Sequence, residues 1–160
     1  MEKLTLRLNE LIEQKEIAGV ALRVRQEGDI IYDISLGYAD IEKKEPVTVK
    51  SIYRLCSMTK LLVAVAIMQL VEKDRLSLDD NLLNFFPEFP LDKQRVTVRH
   101  LLNHSCGLGQ GDKSMDFYEE ISDSADSLEE RINKCGNMPF DFQPGESANY
   151  SPIIAFDILG

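Results

Sequence analysis

Ser57-Met58-Thr59-Lys60, followed by the apolar run Leu61-Leu62-Val63-Ala64-Val65-Ala66-Ile67-Met68, is the stretch that decides how this chain is read. If the run coils into a helix, residues at i and i+3 share one face, so the serine and the lysine can touch. The serine then stands at the helix N-terminus, where backbone N–H groups and the helix dipole favour negative charge. A serine hydroxyl is a weak nucleophile until a neighbouring base takes its proton. A lysine amine can be that base once desolvation has made it neutral. The four residues therefore read as a nucleophile–base pair. Alone the pattern is weak, because most such pairs are a helix cap followed by a surface lysine.

The surroundings place the pair in an α/β chain. Leu4, Leu8, Leu11 and Ile12 recur at helical spacing, which predicts an amphipathic helix over 3–15. Val20–Arg25 and Asp29–Ser35 read as strands, with Glu27-Gly28-Asp29 as a hairpin turn. Gly37 to Asp40 continues the second strand into a loop that reaches Pro46. The helix over 57–73 is apolar on nearly every side, and such a helix is usually buried at the centre of a fold. Ser77 and Asp79 are candidate caps for a short helix through Phe86, and Thr97 for another over 98–103. Residues 109–127 are polar and acidic and read as a surface loop. A calcium site there lacks the acid spacing and the glycine that such loops use. Leu128–Cys135 reads as a helix, and Pro144-Gly145 as a turn.

Composition limits the function classes. The chain has 160 residues, enough for a core, and a formal net charge of −9. An acidic balance argues against nucleic acid, whose phosphates need a basic surface. The longest apolar stretch is too short to span a bilayer. Residues 2–8 show no secretory leader pattern, so the expectation is a cytoplasmic protein, although a secreted protein trimmed of its leader would read the same. Cys56, Cys106 and Cys135 are too widely spaced for a disulfide framework or a zinc site. Cys56 could serve as a thiol nucleophile, but the commoner role is that of a small buried hydrophobe. His100 and His104 have the i,i+4 spacing of a zinc pair without the accompanying glutamate, which favours a structural pair with His104 bonding near the Gly107 turn. A triad using His104 is conceivable, but nothing in the sequence brings it to Ser57.

In context, the chain resembles the serine β-lactamase and penicillin-binding protein superfamily, in which Ser-x-x-Lys is a motif. The likeness is to its class C-like branch, with related esterases and D-amino-acid or D-peptide hydrolases. It rests on Ser57-Met58-Thr59-Lys60 and on five further segments: Ile17–Val20, Gly37–Asp40, Ile67–Glu72, Leu76–Asp80 and Val96–Leu108. Pro144-Gly145 with Tyr150-Ser151 matches its second motif. The resemblance implies that Ser57 is acylated, that Lys60 is its partner, that Tyr150 shares proton transfer, and that the Ser57 N–H is one oxyanion donor. It implies a β-lactam, D-peptide or ester/amide substrate, with no metal or organic cofactor.

Two departures weigh on that implication. The family's Tyr-x-Asn is Tyr150-Ser151-Pro152 here, so the amide that contacts lysine and substrate is missing. No Lys-Thr-Gly or His-x-Gly triplet follows Tyr150. The expected fold is therefore the N-terminal portion of the β-lactamase/transpeptidase-like α/β (α+β) architecture. Residues 1–50 would belong to the sheet domain and residues 51–160 to the helical region, with the C-terminal strands missing. A sheet so truncated has an open edge, so the chain is expected either to be poorly stable or to pair through that edge with another chain. A catalytically silent or binding-only relative is the alternative function.

Overall fold

Glu27 and Gly28 form a two-residue turn with backbone φ of 53° and 94°. Positive φ at both positions gives a turn whose twist matches that of paired strands, and glycine takes the second position without a steric cost. The flanking residues Gln26 and Asp29 are directly opposed, and pairing runs back from them to Gly19 and Gly37. The computed structural model thus forms the predicted hairpin from β1 (Gly19–Gln26) and β2 (Asp29–Asp40). It describes residues 2–109, 111–125 and 127–160, with Asp112, Lys113 and Ser122 described by their backbone alone. A two-residue β3 (Glu45–Pro46) adds to β2, giving an antiparallel sheet in the order β1-β2-β3.

Two compact units divide the chain, residues 1–54 and 55–160. In the first, α1 (Glu2–Glu13) packs on β2, and the Thr5 and Tyr32 hydroxyls hydrogen-bond. No described residue of α1 is fully buried. Arg23 and Asp33 pair across the strands at 2.7 Å, and Val47 is buried.

The second unit holds the main core. Leu82, Val96, Leu101, Cys106, Leu108 and Met138 are almost wholly buried in it, with Ile154 and Ala155 from the last helix. Its helices are α2 (Thr59–Glu72), α3 (Val98–Leu102), α4 (Asp112–Ser124), α5 (Leu128–Cys135) and α6 (Ile154–Leu159). Thr97 caps α3 as its sequence position predicts. Its side chain accepts from the His100 N–H, and His100 Nδ1 accepts from the Thr97 N–H. This reciprocal bonding satisfies two otherwise orphan donors. Ser127 caps α5 by accepting from the Glu130 N–H at 3.1 Å.

Three local expectations are corrected. Residues 112–124 are helical rather than a surface loop: Tyr118 and Ile121, one turn apart, are buried, and half-buried Met115 continues the same stripe. A sparse apolar stripe with correct period suffices when a core receives it. In the acidic stretch 109–127, the Asp112 side chain and Asp126 lie outside the described residues. The short helix near 84 is a 3-10 turn (Leu82–Asn84), capped by Asn81, whose side chain accepts from the Leu83 N–H at 3.0 Å. Ser77 and Asp79 instead join a preceding turn in which the Asp79 N–H donates to Ser77 Oγ. Finally, α2 is not buried all round. Only Ile67 is buried, while Leu61, Leu62 and Val65 are 69%, 62% and 58% exposed. Among the described helices none is long and apolar enough to cross a membrane.

Gly107, at φ 73°, ends the segment that follows α3, and a Cβ there would overlap the Phe142 carbonyl oxygen. Gly107→Ala is expected to lower stability by at least ~1–2 kcal/mol from the left-handed backbone alone, with the clash adding to it. Urea unfolding followed by circular dichroism measures the loss.

Candidate active site

Ser57 is presented by a strained turn. Cys56, immediately before it, has φ of 47°, a left-handed conformation unusual for a residue with a Cβ. Cys56–Met58 form one 3-10 turn, and α2 starts at Thr59. The turn is closed by the Met58 N–H donating to the Leu55 carbonyl at 3.0 Å. Backbone outliers of this kind concentrate at functional sites, where the surrounding structure holds them. Cys56 is exposed, not the buried hydrophobe its composition suggested, because the turn that lifts Ser57 out of the fold lifts its neighbour as well.

Lys60 lies one turn further on, as the spacing requires. Its Nζ donates to Ser57 Oγ at 3.5 Å, a marginal contact, and to the Pro152 carbonyl oxygen at 2.7 Å, a strong one. The missing motif amide at position 152 is thus partly replaced: proline has no side-chain acceptor, but its main-chain oxygen receives the lysine.

Tyr150 completes the cluster. Its hydroxyl donates to Ser57 Oγ at 2.6 Å across 93 residues of sequence. The Lys60 ammonium lies 5.2 Å from the Tyr150 ring centre and 5.5 Å from that of Phe156, within reach of a cation–π attraction. The hydrogen bond with Ser57, then that with Lys60 and its charge, hold the Tyr150 phenol below its ordinary range. The phenol is half exposed, so solvent can reach it.

The loop that carries Tyr150 is tied down on both sides. The Asn149 N–H donates to the His104 carbonyl at 3.0 Å, and the Ser151 N–H donates to His104 Nδ1 at 3.3 Å. Ser151 is fully buried, and its Oγ accepts from the Ala155 N–H in the first turn of α6. The far side of α6 is held by Asp157, which accepts from the Tyr118 hydroxyl at 3.2 Å, and Arg131 donates to that hydroxyl at 2.9 Å. Burial raises the Tyr118 phenol above its usual range. Burial and then the Asp157 charge push the Cys135 thiol up to about 11, and burial raises Cys106 also. Those two thiols are inert at neutral pH.

The three residues singled out from sequence therefore converge. A cleft of ≈ 190 Å³ beside them is lined by Cys56, Thr59, Lys60, Val63, Pro152 and Phe156. A larger apolar groove, ≈ 280 Å³, contains none of the three in its lining and belongs to another part of the unit. Among the described residues no three His, Cys, Asp or Glu side chains gather into a metal cage. His100 is spent on the α3 cap. The ring of His104 lies 4.9 Å from that of Tyr150 and 5.4 Å from that of Phe156. Sequence reasoning missed this placement. Only the resemblance of the segment around it offered any signal.

The Beta-lactamase family profile matches residues 5–160. Esterase EstB of Burkholderia gladioli is 32% identical over 165 residues, covering 95% of this chain and 42% of EstB. The solved structure of EstCE1, described as a hydrolase with promiscuous acyltransferase activity, superposes with a TM-score of 0.84 at 27% identity. That match covers 99% of this chain and 44% of EstCE1. The octameric penicillin-binding protein homologue from Pyrococcus abyssi superposes with a TM-score of 0.81 at 31% identity, covering 99% of this chain and 37% of that one. The chain thus spans less than half the length of these relatives.

The Tyr150 environment has a direct readout. Tyr150 is expected to titrate below the ordinary phenol value of 10.0, and Ser57→Ala and Lys60→Met should each move it upward. NMR of tyrosine labelled at the ring Cζ, with Tyr150→Phe for assignment, measures both shifts.

Proposed function

This chain belongs to the Beta-lactamase family, and on that premise we propose that it is a serine acyl-transfer hydrolase in which Ser57 is acylated by an ester or a related acyl substrate. The observation that carries the reading is the 2.6 Å contact between Tyr150 and Ser57, with Lys60 beside both. Tyr150 is nearer to Ser57 Oγ than Lys60 is, and its phenol is shifted toward the anion. In the reactive ionisation state the bond reverses. The Tyr150 phenolate accepts the Ser57 proton as Oγ attacks the acyl carbon. Lys60, held by the Pro152 carbonyl, supplies the positive charge that favours the phenolate. The tetrahedral oxyanion takes one donor from the Ser57 backbone N–H. Tyr150 then returns the proton to the departing alcohol, leaving an acyl-serine ester that water hydrolyses.

The departure at Pro152 bears on substrate. A substrate that carries amide groups can be selected by a side-chain amide that pairs with them. Pro152 removes the side-chain amide from that position, whereas a simple ester makes no demand for it. The similarity to EstB and EstCE1 supports the same preference.

A second reading has one observation in its favour. The chain covers 42% of EstB, so turnover in the family can draw on residues that have no counterpart here. Under this reading Ser57 reacts but the acyl group is not released efficiently, or the chain only binds. The edge position of β1 and the exposed α2 residues support self-association of the chain.

Labelling, turnover and sedimentation test these possibilities. A fluorescent fluorophosphonate is expected to label the chain, with labelling abolished in Ser57→Ala and slowed by roughly 10²–10⁴-fold in Lys60→Met and Tyr150→Phe, the range for removing a proton-transfer group. Absence of labelling in a folded chain would sink the acylation proposal. Labelling without turnover of p-nitrophenyl esters would favour the second reading. Sedimentation is expected to show mass rising with concentration, and a monodisperse monomer would exclude self-association.

A further inference from the structure

We propose that His104 is the positioning residue of the site, the group that holds Tyr150 against Ser57, and that it does so only while its imidazole is neutral. The proposal rests on the acyl-serine reading for its catalytic meaning, but its structural basis is separate. His104 grips the backbone on both sides of Tyr150: its carbonyl takes the Asn149 N–H at 3.0 Å, and its Nδ1 takes the Ser151 N–H at 3.3 Å. Its ring is in contact with both the Tyr150 and the Phe156 rings, at 4.9 and 5.4 Å between centres. A single residue thus sets the height, direction and packing of the phenol that meets Ser57.

The backbone of His104 sits at φ 60°, a left-handed conformation that costs a residue with a Cβ and is better tolerated by Asn. The strain brings carbonyl and ring to the same loop at once. Nδ1 acts as an acceptor, so it carries no proton in this arrangement. Protonation would turn it into a donor facing the Ser151 N–H, breaking one of the two backbone ties. It would also set a second cation near Lys60.

Among the described residues, the titratable groups that face His104 include Lys60, from α2, and Tyr150, from the loop before α6; Phe156, from α6, is apolar. Burial first, and then the Lys60 charge, hold the His104 imidazole below its ordinary 6.5. The sign follows. His104 is neutral and the ties are intact at pH 7 and above. As pH falls below 6.5 through the lowered folded value, the unfolded chain binds the proton first, so stability declines across that window along with the ties.

The test begins with the wild-type chain and needs no turnover. Imidazole and Tyr150 Cζ resonances are followed together from pH 8 downward, with His104→Asn assigning the two histidines. The expected result is that the Tyr150 resonance shifts with the same midpoint as His104, below that of a free imidazole. A Tyr150 resonance that ignores the His104 midpoint overturns the proposal.

The second arm compares variants by the rate of fluorophosphonate labelling. His104→Asn retains a short side-chain acceptor and tolerates the backbone, and is expected to label within about threefold of wild type, less than the loss of one ordinary hydrogen bond. His104→Leu fills the space without an acceptor and is expected to label about 10²-fold more slowly, the scale of a misplaced reacting group. Equal rates for the folded Leu and Asn variants overturn the proposal. If His104→Leu does not fold, the pH-coupled resonances decide. A wild type whose resonances are coupled but which is never labelled refutes the acylation reading and leaves His104 as the residue that positions Tyr150.

Discussion

The bond from Lys60 Nζ to the Pro152 carbonyl, 2.7 Å long, joins the first turn of α2 to a residue two positions before α6 across 92 residues of sequence. Beside it, the two halves of the site meet through the Tyr150–Ser57 hydrogen bond and through Lys60 against the Tyr150 and Phe156 rings. An ammonium donating to a neutral carbonyl is a charge-assisted hydrogen bond, stronger than an ordinary amide pair. It also fixes the lysine beside the rings of Tyr150 and Phe156 rather than leaving a flexible four-carbon stem to sample solvent. The identity of residue 152 matters little to this bond, because the acceptor is main chain. That explains how a proline can occupy a motif position without dismantling the cluster.

Behind the site, the chain uses buried and half-buried polar groups as fasteners. Ser151 ties the Tyr150 loop to α6, and the Tyr118–Asp157–Arg131 group ties α6 to α4 and α5. A buried polar group without a partner costs more than a made hydrogen bond returns, so such networks hold one arrangement and penalise others. The acidic surface segment that composition suggested is in fact α4, and its Tyr118 is one member of this network. The helix exists because it delivers Tyr118 and Ile121 inward, and Asp116, Glu119, Glu120 and Asp123 are its solvated remainder.

Much of the fold was legible in one dimension. The hairpin was marked by Glu27-Gly28, α3 by the Thr97 cap, and α5 by its bounds, because turn chemistry and capping act over a few residues. The errors had a common cause. The surroundings of α2, the exposure of Cys56 and the helical state of 112–124 all depend on which faces meet a core, and burial is a property of packing rather than of local sequence. Likewise, Ser57, Lys60 and Tyr150 could be named from motifs, while the contacts of His104 with the Tyr150 loop could not.

What the sequence determined by itself is the pairing of Ser57 with Lys60, since a helix of 3.6 residues per turn brings i and i+3 together wherever it stands. It also determined membership of the Beta-lactamase family, through motifs in a fixed order. Only the tertiary structure decided that Tyr150 reaches Ser57, that a proline carbonyl receives the lysine, and that His104 grips the chain on either side of the phenol. Those contacts join residues distant in sequence. Their geometry is set by the closure of loops around a shared core, which no local rule of spacing encodes.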